Sequence, residues 1–475
     1  MKAGSKALRG AVKIRPPQSI GGGEFLSGRL CRMYLDIKKE GNPADMSVGP
    51  CSEHGQEVAF MFKIVRFPEK LEGFFRSLEG VFHWDHHQYF RTLTLLIAFG
   101  WGRRNIAALY RQLDPRGHRH RTRFNNFLHV ARWDPESALQ GKAYALLAIL
   151  GPRAGEVIEL VIDDSKKGKR GKKMEAVNWV YDPVAGRSIR GHQYVTAVLR
   201  FRGHVIPWGI RVYVKREDCR GLEWEFAKTT QLAAKLIEEF LPPEGVRVRV
   251  LFDSYYLCPT VMKACGRKGF HFVSTLKSNR NLWQGGRKLK VEPYGKNLFR
   301  RRRKQMFVIR KGNGPVRYRY VDAGRMQVSN LGELHVVFSR KAAERKVLGL
   351  VTDDPTLSAK GIIQAYDGRY GAIEVFFKDT KQLLGLGQYQ NVPLRAAVTH
   401  LHLVCFAYAL LTHIAITREG EKGKKRMRAA RLSTGDLQNE LRRIVWDDLV
   451  DYLKAFPTGT DVVKELDRLL VAKAA

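Results

Sequence analysis

The sequence predicts a mixed α/β protein in which helices precede a mixed sheet, a β-rich basic insertion interrupts the sheet domain, and further helices follow. Three observations predict this fold class. Apolar residues recur at helical spacing from about residue 62 to 150, and strand-like runs replace them from residue 157. Residues 281–350 carry short β-like runs with Gly-rich turns, and helical spacing returns from residue 358. Strands alternating with helices between these points are typical of a mixed α/β sheet.

The charge balance of the chain indicates a polyanionic partner. Its 475 residues include 83 Lys and Arg against 46 Asp and Glu, which gives a formal net charge of +37. Such an excess costs self-repulsion in the folded state, and binding to nucleic acid would relieve it. A membrane surface is the alternative, but the sequence shows no lipidation motif and no basic amphipathic anchor. The six cysteines lack paired metal-ligand spacing, which favours reduced thiols over a zinc site.

The N-terminal third divides into two predicted regions. Residues 1–60 are rich in Gly, Pro, Lys and Ser, so we expect a poorly ordered basic leader. Residues 61–150 are predicted to form a helical DNA-binding region. Within it, helical segments at 91–113 and 121–133 are joined by a basic turn, which favours a helix-turn-helix-like DNA reader. A helical bundle whose basic face is only solvated is the alternative.

Residues 151–280 together with 351–417 are predicted to form one catalytic domain. Its sheet and its first helices can be read from runs of β-branched and apolar residues that are separated by turn signals. The predicted strands are 157–164, 187–201, 204–215, 247–254 and 271–277, and the predicted helices are 229–241 and around 257–268.

The segment between these two parts is predicted to be a basic, β-rich insertion over residues 281–350. Residues 277–350 contain 20 Lys and Arg against 4 Asp and Glu. This excess predicts a phosphate-binding face. Its densest part is the run Arg300, Arg301, Arg302, Arg303 and Lys304.

The C-terminal part begins with an apolar run at residues 401–416. It is short for a membrane span and contains His402 and His413, which favours a buried core helix. Residues 418–475 are predicted to form a basic linker followed by C-terminal helices.

Acidic residues at element ends form a candidate metal site. Asp163 and Asp164 end the first predicted strand, and because side chains alternate along a strand they point to opposite faces. Asp253 ends a second strand, at the edge where open α/β sheets place their ligands. Glu374 lies on a predicted helix, and Lys381 follows on nearly the same helical face. Two strand-end aspartates and a helical glutamate could hold two Mg²⁺ ions for an in-line phosphoryl displacement.

Three segments together resemble a known family. "LVIDDSKKGKRGKK", "LFDS" and "YDGRYGAIEVFFKDTKQLLGL" resemble bacterial insertion-sequence transposases of the DDE superfamily, in particular the branch with a Tyr-Arg-Glu-Lys signature. The similarity covers about residues 90–415. It implies a ribonuclease-H-like mixed sheet with a β-rich insertion, a Mg²⁺ cofactor for which Mn²⁺ can substitute, and a cytoplasmic, nucleoid-associated bacterial protein. It also implies terminal inverted repeats and target DNA as substrates, and a homodimer in the synaptic complex.

The resemblance also assigns roles to individual residues. It implies that Asp164, Asp253 and Glu374 are the catalytic, metal-binding acids. The residues that it implies as contacts to DNA phosphates are Tyr366, Arg369 and Lys381.

One position departs from the family pattern. The family places its arginine four residues before the glutamate, whereas Arg369 lies five residues before Glu374. One added residue rotates a helical side chain by about 100°. Either Gly371 lets the backbone absorb the shift, or Arg369 does not do the job of the family's arginine.

The sequence therefore predicts a metal-dependent DNA transposase, an endonuclease and strand transferase that cuts at the ends of its mobile element and joins them to target DNA. A non-catalytic DNA-binding derivative of a transposase is one alternative. A nuclease of the same fold that hydrolyses DNA without strand transfer is another. A metal-dependent phosphatase using the Asp163–Asp164 pair is a third, but it would not need a net charge of +37.

Overall fold

The computed structural model describes two compact units of the chain. One runs from Ile64 to Val450, and the other contains Met61–Phe62, Lys63 and the described residues from Asp451 onward. The predicted leader over residues 1–60 and much of the predicted basic linker lie outside the described residues. The structure describes residues 61–82, 84–116, 118–182, 186–311, 314–421 and 432–471.

Helices occupy both ends of the described chain. Two short 3-10 turns, at Glu69–Leu71 and Glu79–Val81, flank the first of them, and one π-helical turn spans Tyr370–Glu374. The α-helices are α1 (Glu72–Arg76), α2 (Trp84–Phe99), α3 (Ile106–Tyr110), α4 (Arg121–Val130), α5 (Pro135–Leu150), α6 (Arg216–Cys219), α7 (Thr229–Glu238), α8 (Pro259–Arg267), α9 (Val291–Arg301), α10 (Ala359–Arg369), α11 (Val375–Gln382), α12 (Leu394–Glu421), α13 (Thr434–Leu453) and α14 (Gly459–Leu469).

Strands occupy mainly the middle of the chain. They are β1 (Met61–Phe62), β2 (Val157–Gly168), β3 (Asn178–Asp182), β4 (Arg187–Phe201), β5 (His204–Tyr213), β6 (Arg247–Phe252), β7 (His271–Thr275), β8 (Asn281–Gln284), β9 (Arg287–Lys290), β10 (Gln305–Lys311), β11 (Gly314–Val328), β12 (Gly332–Lys341), β13 (Leu348–Thr352) and β14 (Leu470–Val471).

Strands β2–β13 form one mixed sheet. Its order is β3-β4-β2-β6-β7-β13-β12-β11-β8-β9, with β5 paired to β4 and β10 paired to β11. The pairs β2–β6 and β6–β7 are parallel, whereas β2–β4 and β4–β5 are antiparallel. In the other unit, β1 pairs with β14. The predicted α/β class, with a mixed sheet and helices at both ends, is confirmed.

The strands of the basic segment extend this same sheet. The link is β13, which pairs with β7 on one side and β12 on the other. The sequence analysis did not predict α9 in this segment. Pro293 stands in its first turn, where proline is tolerated, and Gly295 is needed because a Cβ there would collide with the ring of Phe338. Packing of buried Leu298 and Phe299 therefore outweighs a sequence that favours turns.

The predicted core helix over residues 401–416 is confirmed as part of α12. The segment Leu394–Arg418 is long and apolar enough to cross a membrane by length and composition, but 89% of its most apolar window is buried inside the protein. Helix α12 packs against α2, α5 and β5. The Thr412 hydroxyl donates to the Val205 carbonyl at 3.0 Å, which ties the helix to the sheet.

Opposite faces of the sheet are covered by different helices. Tyr194 of β4 packs its ring against Phe377 of α11. Ala197 lies three residues after Tyr194 on β4 and pairs with Gly209 of β5. On the face to which these two residues point, Gly209 lies against Leu236 of α7. Because side chains alternate along a strand, α11 and α7 lie on opposite faces. This difference decides which acidic side chains meet.

The region that the sequence analysis assigned to DNA reading contains two short helices in contact, α3 and α4. Helix α4 buries Phe124, Phe127 and Leu128 and exposes Arg121 and Arg123. A basic exposed face on a short amphipathic helix is compatible with both alternatives of the sequence analysis, so the DNA-reading role stays a prediction.

Candidate active site

Of the two neighbouring aspartates on β2, the strand register places Asp163 level with Asp253. In the parallel pair β2–β6, Val161 lies opposite Leu251, so two residues further along each chain Asp163 comes level with Asp253. Asp253 directly follows the carboxyl end of β6, and Asp163 lies within β2 just beyond the part that pairs with β6. The nearby charge of Asp253 raises the pKa of Asp163, in agreement with this placement.

Arg369 is the centre of the acidic cluster. Its Nη2 donates to Asp163 Oδ2 at 2.6 Å and its Nη1 donates to Glu374 Oε1 at 3.3 Å. The Arg369 side chain is only 6% exposed, whereas that of Glu374 is 44% exposed. A buried guanidinium therefore ties the end of α10 to β2 and faces the more open glutamate.

The π-helical turn explains the shifted spacing of the arginine. A π turn closes its hydrogen bonds over i→i+5 and takes one more residue than an α turn, and such turns are frequent at functional sites. Here the turn spans Tyr370–Glu374 and includes Gly371. Arg369 and Glu374 consequently stand one turn apart on the same side of the helix, close enough for their side chains to bond. The π turn lets the backbone absorb the added residue, and whether Arg369 does the job of the family's arginine stays a prediction.

Asp163 is the carboxylate of the cluster whose pKa is raised most clearly. Burial raises the pKa of its carboxyl to about 6, Arg369 opposes that rise, and the charges of Asp253 and Asp164 add to it. Repulsion among neighbouring carboxylates of this kind favours uptake of a proton or of a cation.

Asp164 faces away from Arg369. Its Oδ2 accepts from Gln193 Nε2 at 2.8 Å and from Lys166 Nζ at 3.0 Å, and the Tyr256 hydroxyl lies 3.4 Å from its Oδ1. Burial raises the pKa of Tyr256 well above its ordinary value, and the charge of Asp164 raises it further. Tyr256 therefore remains a protonated donor between Asp164 and the strand end that carries Asp253.

Asp253 is held by the backbone that follows it. Its Oδ1 accepts from the backbone N–H groups of Tyr255 at 2.9 Å and Tyr256 at 3.4 Å. The Ser274 hydroxyl donates to its carbonyl oxygen at 3.1 Å. The turn after β6 thus fixes the carboxylate at the edge of the sheet.

The other two signature residues flank the cluster on α10 and α11. Burial raises the pKa of Tyr366, Arg369 lowers it, and Asp253 and Asp163 raise it, which places the phenol beside these groups. Burial lowers the pKa of Lys381, whose Nζ lies 5.8 Å from the centre of the Phe377 ring.

The basic run of the insertion lies apart from the carboxylates. Arg300 and Arg301 form the last turn of α9, and the run to Lys304 continues beyond the helix with every side chain exposed. Within the described ranges, no ion pair joins any of the five to an acidic residue of the cluster. The sequence analysis placed this run in the insertion, and its exposure leaves it free to contact phosphates.

The sequence analysis missed a second basic feature of the insertion. Arg319 of β11 lies directly opposite Arg340 of β12, although like charges in that position are destabilising. The Nε atoms of both are buried without a hydrogen-bond partner in the described part of the chain. The alternation of Arg and Tyr over residues 317–320 was the signal that could have located it.

The donor chemistry of the cluster fits divalent metal, although Arg369 stands between two of its acids. In the residues that the structure describes, no group of three or more His, Cys, Asp or Glu side chains is arranged to hold a metal ion. Carboxylate oxygens are nevertheless the ligands that Mg²⁺ prefers. Burial and, to a smaller extent, the charges of Asp253 and Asp164 raise the pKa of Asp163, and a divalent cation would relieve the repulsion among these carboxylates.

Two family profiles match this part of the chain. Residues 87–314 match the DDE superfamily endonuclease, and residues 227–410 match the transposase DDE domain. The first match contains the Asp163–Asp164 pair and both contain Asp253, whereas Glu374 lies in the second. Each match covers less than half of the 475 residues. No curated protein matches the chain. The two profiles support a DDE-superfamily transposase with nuclease chemistry.

Proposed function

We propose that the protein is a DNA transposase of the Tyr-Arg-Glu-Lys branch that cuts at the ends of its mobile element and joins them to target DNA. The observation that carries the proposal is the gathering of Asp163, Asp253 and Glu374 around Arg369, with Asp164 following Asp163 on the other face of β2, inside the region that the two family profiles match. The order β5-β4-β2-β6-β7, with β2, β6 and β7 parallel, supports a ribonuclease-H-like catalytic domain. The net charge of +37 supports a DNA partner.

In this mechanism Asp164, Asp253 and Glu374 would hold two Mg²⁺ ions, or Mn²⁺ in their place, which would supply Lewis acidity for an in-line phosphoryl displacement. Arg369 fixes the helix that carries Glu374 against β2. The protonated hydroxyl of Tyr256 orients Asp164, and the N–H groups of the following turn orient Asp253.

The assignment of the first acid rests on two different arguments. The family pattern supports Asp164, because a Thr or Ser follows the catalytic aspartate and Ser165 follows Asp164. The direction of the side chains supports Asp163, which shares the face of Arg369. Under the family assignment Asp163 is a positioning residue that acts through Arg369. Substituting each aspartate separately distinguishes the two assignments.

DNA contacts follow from the remaining basic residues. Tyr366 and Lys381 would clamp phosphates near the cut, and the helices α3 and α4 would hold the terminal inverted repeat. Arg369, the third contact that the resemblance implies, is buried and bonded to Asp163 and Glu374, so it would act by holding these acids in place. The exposed run Arg300–Lys304 would contact the backbone further away. A homodimer would bring two element ends together in the bacterial cytoplasm, at the nucleoid.

The test is cleavage of a labelled duplex that carries the terminal repeat flanking the element, with Mg²⁺ or with EDTA. The parent should cut at the repeat boundary only with metal, and Asp164→Asn, Asp253→Asn and Glu374→Gln should bind but not cut. Glu244→Gln, at an exposed loop position, is the matched control and should cut normally. Binding without cleavage by the parent would indicate a derivative that only binds, and cleavage without joining of the 3′ ends would indicate a nuclease. Cleavage that survives Asp164→Asn but not Asp163→Asn would assign the first acid to Asp163.

A further inference from the structure

A cavity lies next to the cluster at the far end of β2. Its volume is about 740 Å³, within the range of ligand sites in proteins. Two loops form most of its wall, residues 167–174 at the end of β2 and residues 387–392 before α12, and the N-terminal region adds Arg103 and Asn105.

All the charged side chains that line the cavity are positive. No Asp or Glu lines the cavity. In the described part of the chain, no ion pair joins any of its cationic side chains to a carboxylate. Because so many uncompensated cations repel one another, the cavity is suited to an anion of several charges. The cationic lining residues are Arg103, Lys167, Lys169, Arg170, Lys172 and Lys173.

Hydrogen bonds of Lys169 hold the two loops of the cavity wall together. Its Nζ donates to the carbonyls of Gly387 and Tyr389, both at 2.8 Å, and lies 3.2 Å from the centre of the Tyr389 ring. The Tyr389 hydroxyl in turn bonds to His192 Nδ1 at 2.5 Å. Burial and the neighbouring Lys167 lower the pKa of Lys169 to about 7, so the ammonium is costly to keep charged without an anion nearby.

The cavity and the acidic cluster share one face of the sheet. Lys167 lies three residues after Asp164 on β2, about 10 Å away at about 3.3 Å per residue. Lys167 lies four residues after Asp163, and because residues an even number apart on a strand share a face, its side chain points to the face of Arg369. There its stem packs against Gly387. Lys167 is also close enough to lower the pKa of Lys381 on α11. A strand of DNA with its reactive phosphate at the acids would therefore have neighbouring phosphates at the cavity.

We propose that this cavity binds backbone phosphates of the DNA strand that is cut at the acidic cluster. The inference rests on the proposed function and adds to it a second contact site, on the side of β2 away from the insertion. Lysines supply point charges with rotatable donors, which suit phosphates whose exact position varies with the DNA sequence. The cavity positions the strand without reading its bases.

The test measures DNA binding in EDTA, so that no cleavage intervenes. Lys172→Ala/Lys173→Ala removes two exposed charges of the cavity, and Lys228→Ala/Lys263→Ala removes two exposed charges elsewhere as the matched control. Binding of the terminal-repeat duplex is followed by fluorescence anisotropy over a range of salt concentrations. In the cavity variant, the slope of log K against log salt should fall by about 0.9 for each phosphate that the variant no longer neutralises. The control should keep the parent slope.

Several results would overturn the inference. Equal losses of affinity in the cavity variant and the control would mean that only the net charge matters. A parent that binds the duplex and a cavity variant with the parent's slope would refute this site while leaving the proposed function intact. A parent that does not bind the duplex at all would instead refute the proposed function.

A second arm identifies the source of the phosphate. Inorganic pyrophosphate is titrated without DNA while the thermal unfolding of the parent and of the cavity variant is followed. Saturable stabilisation of the parent that the variant loses, together with an unchanged DNA slope, would assign the cavity to a free phosphate compound and overturn the DNA assignment. No stabilisation, together with a reduced DNA slope in the variant, is the expected result. Ethylation of single phosphates in the duplex should then interfere with parent binding next to the cut, and this interference should disappear in the variant.

Discussion

Arg369→Met should destabilise the protein strongly, in a manner that depends on pH. The guanidinium is almost completely buried and bonds to both Asp163 and Glu374. Removing one partner of a buried ion pair costs about 3–5 kcal/mol when the other partner stays charged. Asp163 can limit this loss, because its pKa is about 6 and a neutral carboxyl needs no counterion. We therefore expect a loss of about 3 kcal/mol at pH 7.5, near the lower end of that range.

The raised pKa of Asp163 sets the direction of the pH dependence. A raised pKa in the folded state means that Asp163 binds its proton more readily when folded, so its contribution to stability increases as the pH falls through 6. At pH 5 the carboxyl is largely neutral in the parent as well, and Arg369→Met should then cost less than at pH 7.5. Urea denaturation in EDTA at the two pH values measures both losses.

A matched control separates burial from the loss of charge. Arg267 pairs with Glu238 on the surface, where its side chain is 61% exposed, and Arg267→Met should cost less than about 1 kcal/mol at either pH. Equal losses in the two variants, or a loss for Arg369→Met that does not change with pH, would refute the reasoning. Adding Mg²⁺ should restore more stability to Arg369→Met than to the parent, because the ion supplies the missing positive charge.

Three further changes test other parts of the structure. Arg340→Glu should raise the free energy of unfolding by about 0.5–1 kcal/mol through a new cross-strand pair with Arg319, and it should weaken DNA binding; destabilisation would show that the two arginines do not repel. Lys169→Met should abolish a rise in stability between pH 7 and 10.5, since the parent's lysine binds its proton less tightly when folded; an unchanged pH profile would contradict the lowered pKa. Gly295→Ala should cost about 1–3 kcal/mol in urea denaturation because its methyl group would overlap the Phe338 ring, and a neutral effect would mean that the ring can move away.

Local patterns predicted much of the sheet. The strand expected at 187–201 is found as Arg187–Phe201, because its long run of β-branched and apolar residues is bounded by clear turns. The first strand was expected to end at Asp164 but continues to Gly168. Its lysine-rich end pairs with β4, where Lys166 lies opposite Gln193, and a polar sequence gives no sign of such pairing.

The candidate site could be predicted only in part. Alternation along β2 predicted that Asp163 and Asp164 would face opposite sides, but the side that faces the helix depends on pairing with distant strands. The spacing between Arg369 and Glu374 left two possibilities, and residue types alone do not show the π turn that the structure has over Tyr370–Glu374. The residue types therefore predict which side chains can take part in the site, whereas long-range contacts determine which of them meet.

A thiolate substitution at Asp253 tests most directly whether Asp164, Asp253 and Glu374 hold divalent metal for DNA cleavage. Asp253→Cys replaces a hard oxygen ligand by a softer sulfur, which Mg²⁺ accepts poorly and more thiophilic ions accept better. Cleavage of the terminal-repeat duplex should be lost with Mg²⁺ and partly recovered with Mn²⁺, while DNA binding stays unchanged. Cleavage at the parent rate with Mg²⁺ would contradict the account, because Asp253 would then not be a metal ligand.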